Sequence, residues 1–142
     1  MNKLDINSIL KSENNNPVKI GELNQDIINK LNLSCKPRNI ILEPDRIYHC
    51  EKHKSEYKSD SSYNNSLINI PNIISSPDYI GFNENHNSLL YVKKLEDTTL
   101  VAIRIYGKNT LKLRTMFPVT DFYLNSKLKS KRIIPYNLSN NK

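Results

Sequence analysis

Between Ser88 and Phe117 apolar residues recur in three runs separated by polar turn residues. Ser88–Lys94, Thr98–Tyr106 and Leu111–Phe117 carry the alternation and β-branched content of strands. The linkers Glu96-Asp97 and Gly107-Lys108-Asn109 are short enough for hairpin turns, so an antiparallel meander is expected. On the second strand Val101, Ile103 and Ile105 share one face, and Leu100, Ala102 and Arg104 the other, which sets Arg104 among apolar neighbours. On the first, Lys94 shares a face with Leu90 and Val92, and Lys93 with Tyr91. On the third, strict alternation puts Lys112 and Arg114 on one face and Leu113, Thr115 and Phe117 on the other. Only a bulge, or a place at the sheet's rim for Thr115, would bring Arg114 and Thr115 to one surface.

The upstream half has a different rhythm. Met1–Asn16 is polar and reads as a flexible lead-in or weak helix, and Val18–Gly21 as a short strand stopped by glycine. Asn24 is a candidate N-cap for an amphipathic helix that ends near Leu33. Asn39–Leu42 reads as a second strand. Pro44-Asp45 then has the residue types of a helix start, and that helix should carry Ile47, Tyr48, His49, Cys50 and His53. Lys54–Asn65, rich in Ser and Lys, reads as the longest loop, and Pro71 should split the apolar run Leu67–Ser76. Pro77–Gly81 leads into the sheet. Asp121–Leu128 suggests a last short helix and Arg132–Ile134 an edge strand. Helices first and an antiparallel sheet later make the fold class α+β. The expected division is a lead-in over 1–16, one domain over 17–136 and a tail over 137–142.

At 142 residues the chain is long enough to build one core without disulfides, despite a hydrophobic fraction of 37%. Cys35 and Cys50 lack the spacing of a zinc ribbon or a redox pair, and reduced thiols in a cytoplasmic protein are the simpler reading. No signal-peptide pattern opens the chain, and no apolar run approaches the roughly 20 residues of a membrane span. Charge changes the picture more. The formal net charge is +7. No acidic residue follows Asp121, whereas Lys127, Lys129, Lys131, Arg132 and Lys142 do. Such an end suits a phosphate backbone or an acidic protein partner.

The candidate chemistry centres on Ile47–His53. His49 and His53 are four residues apart, on one side if the helix continues. Imidazole is the side chain whose reference pKa, near 6.5, best suits proton transfer close to neutrality. RNA cleavage without a metal needs a base for the 2′-hydroxyl, an acid for the leaving 5′-oxygen and cations for the phosphorane. His49 and His53 are candidates for the first two roles, Arg104 and Arg114 for the third, and Thr115 for an assisting donor. Lys93, Lys94 and Lys112 are further candidate RNA contacts, with Lys127, Lys129, Lys131 and Arg132. Tyr91, Tyr106 and Tyr123 could stack on bases. A zinc site on the histidine pair would need a third ligand. His86 lies in a polar stretch, and Cys50 points elsewhere on the helix, so no metal or other cofactor is expected.

Several blocks carry a family resemblance. In order they are Ile40-Ile41-Leu42, Arg46-Ile47-Tyr48-His49, Lys52-His53, Pro77-Asp78-Tyr79-Ile80-Gly81, Leu89–Lys94, Leu100–Ile103 and Leu113-Arg114-Thr115-Met116. The chain from Ile40 to Ile134 resembles the phage-type domains of the barnase–EndoU–colicin–RelE-like nuclease superfamily. The resemblance implies N-terminal helices packed on an antiparallel sheet of about four strands. It also implies a metal-independent ribonuclease of toxin or phage type. His49, Arg114 and Thr115 lie in matching blocks. Cys50 and Lys54 stand where an aliphatic residue and a proline are expected.

The expected activity is endonucleolytic cleavage of tRNA, mRNA or rRNA to a 2′,3′-cyclic phosphate, with an acidic antitoxin or immunity protein as an implied partner and no membrane. A cytoplasmic setting is expected, with delivery into another cell if the chain is part of a larger toxin. The alternatives are a catalytically silent RNA-binding or phage-associated module of the same fold, and a protein-interaction domain with a basic face.

Overall fold

The computed structural model describes residues 3–11, 16–107 and 110–136. The expected tail at 137–142, with Lys142, lies outside the described residues, as do residues 1–2 and 12–15 of the lead-in and Lys108-Asn109 of the second turn. The fold is α+β. Its elements are α1 (Ile6–Lys11), β1 (Val18–Leu23), α2 (Gln25–Leu31), β2 (Arg38–Leu42), α3 (Arg46–Cys50), α4 (Asp60–Ile68) and α5 (Ile70–Ser75). They are followed by β3 (Tyr79–Asn83), β4 (Ser88–Lys94), β5 (Thr98–Tyr106), β6 (Thr110–Pro118), α6 (Asp121–Lys129) and β7 (Ile133–Pro135).

The expected meander forms the centre of the sheet, but the sheet has seven strands rather than about four and is mixed rather than antiparallel. Its order is β1-β2-β6-β5-β4-β3-β7. All neighbours are antiparallel except β2 and β6, whose parallel ladder joins Ile40 to Leu111 and Ile41 to Lys112. β7 is the expected edge strand and pairs with Tyr79–Gly81. A side chain at Gly81 would collide with the carbonyl oxygen of Arg132, so glycine lets the incoming chain lie this close.

Both faces of the sheet are covered. The larger core joins Val101, Ile103 and Tyr91 of the sheet to Ile27 of α2, Ile47 of α3, Leu67 of α4 and Ile73 of α5. The smaller one joins Leu90, Leu100 and Ala102 on the opposite face to Leu124 of α6. This explains why Ser88–Val92 and Thr99–Ile103 are buried without interruption.

The polar stretch after Lys54 is largely helical rather than a loop. A 3-10 helix over Glu51–Glu56 continues from α3, and α4 starts at Asp60 with Ser59 Oγ accepting from the Ser62 N–H at 3.0 Å. Tyr57 between them is buried, and its hydroxyl accepts from Thr99 Oγ1 at 3.4 Å, while Ser66 and Thr99 hydroxyls bond at 3.0 Å. These contacts anchor the chain just beyond His53 to the middle of the sheet.

Candidate active site

After Leu42 the chain leaves the sheet, and α3 with the following 3-10 helix lies beside β6. α3 is short, running from Arg46 to Cys50, and Ile47 and Cys50 turn into the core. That leaves His49 half-buried beside β6 and Tyr48 exposed. His53 falls in the 3-10 helix, so the simple four-residue helical spacing does not apply to it. It still reaches His49 electrostatically. Its Nδ1 is 2.6 Å from Glu56 Oε2, and its ring lies 5.6 Å from that of Phe117.

The strand facing these histidines is bulged. Thr115 pairs with Ala102 and Leu113 with Ile103, so Arg114 is an extra residue with no cross-strand partner. The slip changes which side chains share a face. Lys112, Thr115 and Phe117 lie opposite Arg104, Ala102 and Leu100 on one face, and Leu113 and Met116 lie opposite Ile103 and Val101 on the other. The strict alternation that separated Lys112 from Thr115 and Phe117 is therefore corrected.

Three guanidinium groups converge there. Arg46, one turn before His49, donates from Nη2 to the Arg114 carbonyl, tying α3 to the bulge. Arg114 Nε is buried and has no hydrogen-bond partner, and neither does the buried Thr115 hydroxyl. Burial, then Arg104 and Arg46, push the Arg114 pKa below its ordinary value. Burial also lowers the pKa of His49, helped by the charges of Arg46, Lys52, His53 and Arg114. Among the described residues none of the three arginines forms an ion pair with a carboxylate. Arg104 is exposed, with its guanidinium 5.4 Å from the Tyr106 ring centre. Lys112 stands over the same ring at 5.2 Å and reaches Glu43 at 3.4 Å.

The other candidates lie elsewhere. Lys93 and Lys94 pair with Thr99 and Thr98, at the opposite end of β5 from Arg104. Lys93 Nζ donates to the Ser76 carbonyl at 2.7 Å, and Lys94 lies over the Tyr79 ring. Lys127, Lys131 and Arg132 line a cleft beyond α6, whereas Lys129 is exposed outside it. Tyr91 is buried in the core. Tyr106 is exposed, and Tyr123 is half-buried between Arg114 and Lys127.

Sequence reasoning missed Arg46 as a site residue and Glu56 as the partner of His53. Their spacings, three residues from each histidine, were the available signal. Cys35 and Cys50 are free thiols, and burial pushes that of Cys50 up to about 11. Among the described residues no three His, Cys, Asp or Glu side chains form a metal-binding group, and no helix is long and apolar enough to cross a membrane.

A family model described as phage-Barnase-EndoU-ColicinE5/D-RelE like nuclease3 matches residues 18–126, more than half of the chain. The chain belongs to this family. The match contains both histidines and the bulged strand, and it stops within α6. Membership supports the family resemblance read from the sequence blocks and makes this a nuclease-like domain. Neither a curated protein nor a solved structure matches the chain.

Proposed function

We propose that this protein is a metal-independent endoribonuclease. The observation that carries the reading is a histidine of depressed pKa, His49, beside Arg46 and Arg114, with Arg104 next to Arg114 and, among the described residues, no carboxylate paired with any of the three. Guanidinium groups that have no carboxylate partner among the described residues suit a bound phosphodiester. A depressed pKa keeps His49 neutral near pH 7, the form that accepts a proton.

In this mechanism His49 takes the proton of the 2′-hydroxyl as its oxygen attacks the adjacent phosphorus. The P–O5′ bond breaks, and His53, its Nδ1 bonded to Glu56, delivers a proton from Nε2 to the departing 5′-oxygen. The products are a 2′,3′-cyclic phosphate and a 5′-hydroxyl. Arg46, Arg104 and Arg114 stabilise the charge on the phosphorane oxygens. The unpaired Nε of Arg114 and the Thr115 hydroxyl are the donors held in reserve for it. Lys112 supports the same field, while Lys93 and Lys94 belong to the rim at the far end of β5.

The experiment uses two oligonucleotides that differ in one 2′-hydroxyl. Cleavage only at the single ribonucleotide of an otherwise deoxy strand is the expected result. Cleavage of the all-deoxy strand would overturn the 2′-hydroxyl mechanism. Tight binding of both without cleavage would favour a silent RNA-binding module.

A further inference from the structure

β7 ends its pairing at Ile133 opposite Gly81, which leaves the next residues of β3, Phe82 and Asn83, uncovered at the sheet edge. Beside them lies a cleft of about 450 Å³ between α2 and α6. Four cations line it, Lys30, Lys127, Lys131 and Arg132, against one carboxylate, Glu84. Among the described residues none of these four forms an ion pair.

The backbone at one of them is unusual. α6 ends in a Schellman turn: the Arg132 N–H donates to the Lys127 carbonyl at 3.0 Å, and the Lys131 N–H to the Leu128 carbonyl at 3.1 Å. Lys131 therefore has φ +62°, in the left-handed region that favours glycine. The other described residues with positive φ are Asn32, Asn87 and Gly107, the types that tolerate it. A lysine at Lys131 costs backbone strain and puts a fourth cation at the cleft.

The cleft is joined to the arginine cluster by one side chain. Tyr123 lines the cleft, holds the Lys127 ammonium 5.3 Å from its ring centre, and interacts electrostatically with Arg114. Positive charge thus runs from the bulge, across α6, to the edge of β3.

We propose that this cleft is a second phosphate-binding site, which holds the single strand flanking the scissile phosphate. The inference rests on the ribonuclease reading only for what happens at the first site. A cleft of this volume admits a nucleotide-sized group rather than a duplex, and a polymer with one charge per nucleotide matches a track of separated cations.

Lys131→Gly gives the decisive test, because it removes the charge while relieving the strain. The first probe is a fluorescent single-stranded oligoribonucleotide of about 12 residues, bound by His49→Ala with and without Lys131→Gly. The second variant should melt no lower than its parent. It should bind about threefold to tenfold more weakly, with a log K against log salt slope shallower by roughly 0.7. In the otherwise wild-type protein, the kcat/KM advantage of this oligonucleotide over a dinucleoside monophosphate should narrow by a similar factor. Unchanged affinity and slope would overturn the proposal and leave the cleft to an acidic protein. An equal fall in turnover of the short and long substrates would also overturn it, placing Lys131's effect at the first site. If the protein cleaves nothing but Lys131→Gly still weakens binding, the ribonuclease reading fails and the cleft stands.

Discussion

Thr115→Val should make the protein more stable and less active. The Thr115 hydroxyl is buried beside Arg114 and finds no hydrogen-bond partner. A buried polar group left unpaired costs about 1–3 kcal/mol. Valine keeps the β-branched shape suited to a strand and replaces that hydroxyl with a methyl group, whose burial contributes roughly 0.8 kcal/mol. The methyl would face the Ala102 side of the smaller core. Allowing for imperfect fit, a net gain of about 1–2 kcal/mol is expected, or roughly 3–8 °C in Tm for a domain of this size. If the hydroxyl donates to the phosphorane, kcat should fall by at least about tenfold, toward the 10²–10³ measured for lost oxyanion donors. Calorimetry and a single-turnover cleavage assay on the same preparation read both quantities. A lower Tm would refute the claim that the hydroxyl is unpaired. A higher Tm with full activity would remove Thr115 from the mechanism and leave it as a packing residue.

Three other outcomes follow from the geometry. The acid limb of kcat/KM should have its midpoint below pH 6.5, because burial and four neighbouring cationic or protonatable groups disfavour His49 imidazolium. Activity is then lost as the pH falls through that lowered pKa, and a midpoint above pH 6.5 would contradict the assignment of His49 as base. Arg46→Gln should cost about 10²-fold or more in kcat but little in KM for a short substrate, since it loosens Arg114 as well as removing a charge. A Tm drop large enough to unfold the protein at the assay temperature would instead make Arg46 a structural residue. Gly81→Ala should destabilise by roughly 1–3 kcal/mol, because its methyl meets the Arg132 carbonyl and the flank of Ile133. Chemical denaturation showing wild-type stability would mean that β7 can move away freely.

The parts of the fold legible in the sequence are those that local patterning controls. Ser88–Lys94 and Thr98–Tyr106 form strands with the expected bounds, and Asn24 caps α2 by accepting from the Ile27 N–H at 2.8 Å. Long-range pairing was not legible. The parallel contact of β2 with β6 spans two residue pairs and leaves no periodic trace. α4 was hidden because its polar residues are buried but satisfied: Ser62 Oγ reaches Asp97 at 2.6 Å and Ser66 reaches Thr99. Composition alone made that segment a loop. The bulge at Arg114 mattered most for the site. Period-2 counting cannot see an inserted residue, yet that residue, Arg114, shifts Thr115 onto the face that carries Lys112 and Arg104. Family membership supports a nuclease, while the roles of His49, His53, Arg104, Arg114 and Thr115 are proposals that rest on geometry.

The most direct test of the central claim is incubation of the wild-type protein and His49→Ala with total RNA in excess EDTA, with analysis of the product ends. The account predicts cleavage by the wild type alone, giving 2′,3′-cyclic phosphate and 5′-hydroxyl ends, while the variant keeps its melting curve and RNA affinity. Equal cleavage by the variant would contradict the role of His49. Cleavage abolished by EDTA and restored by a divalent cation would contradict the metal-independent mechanism.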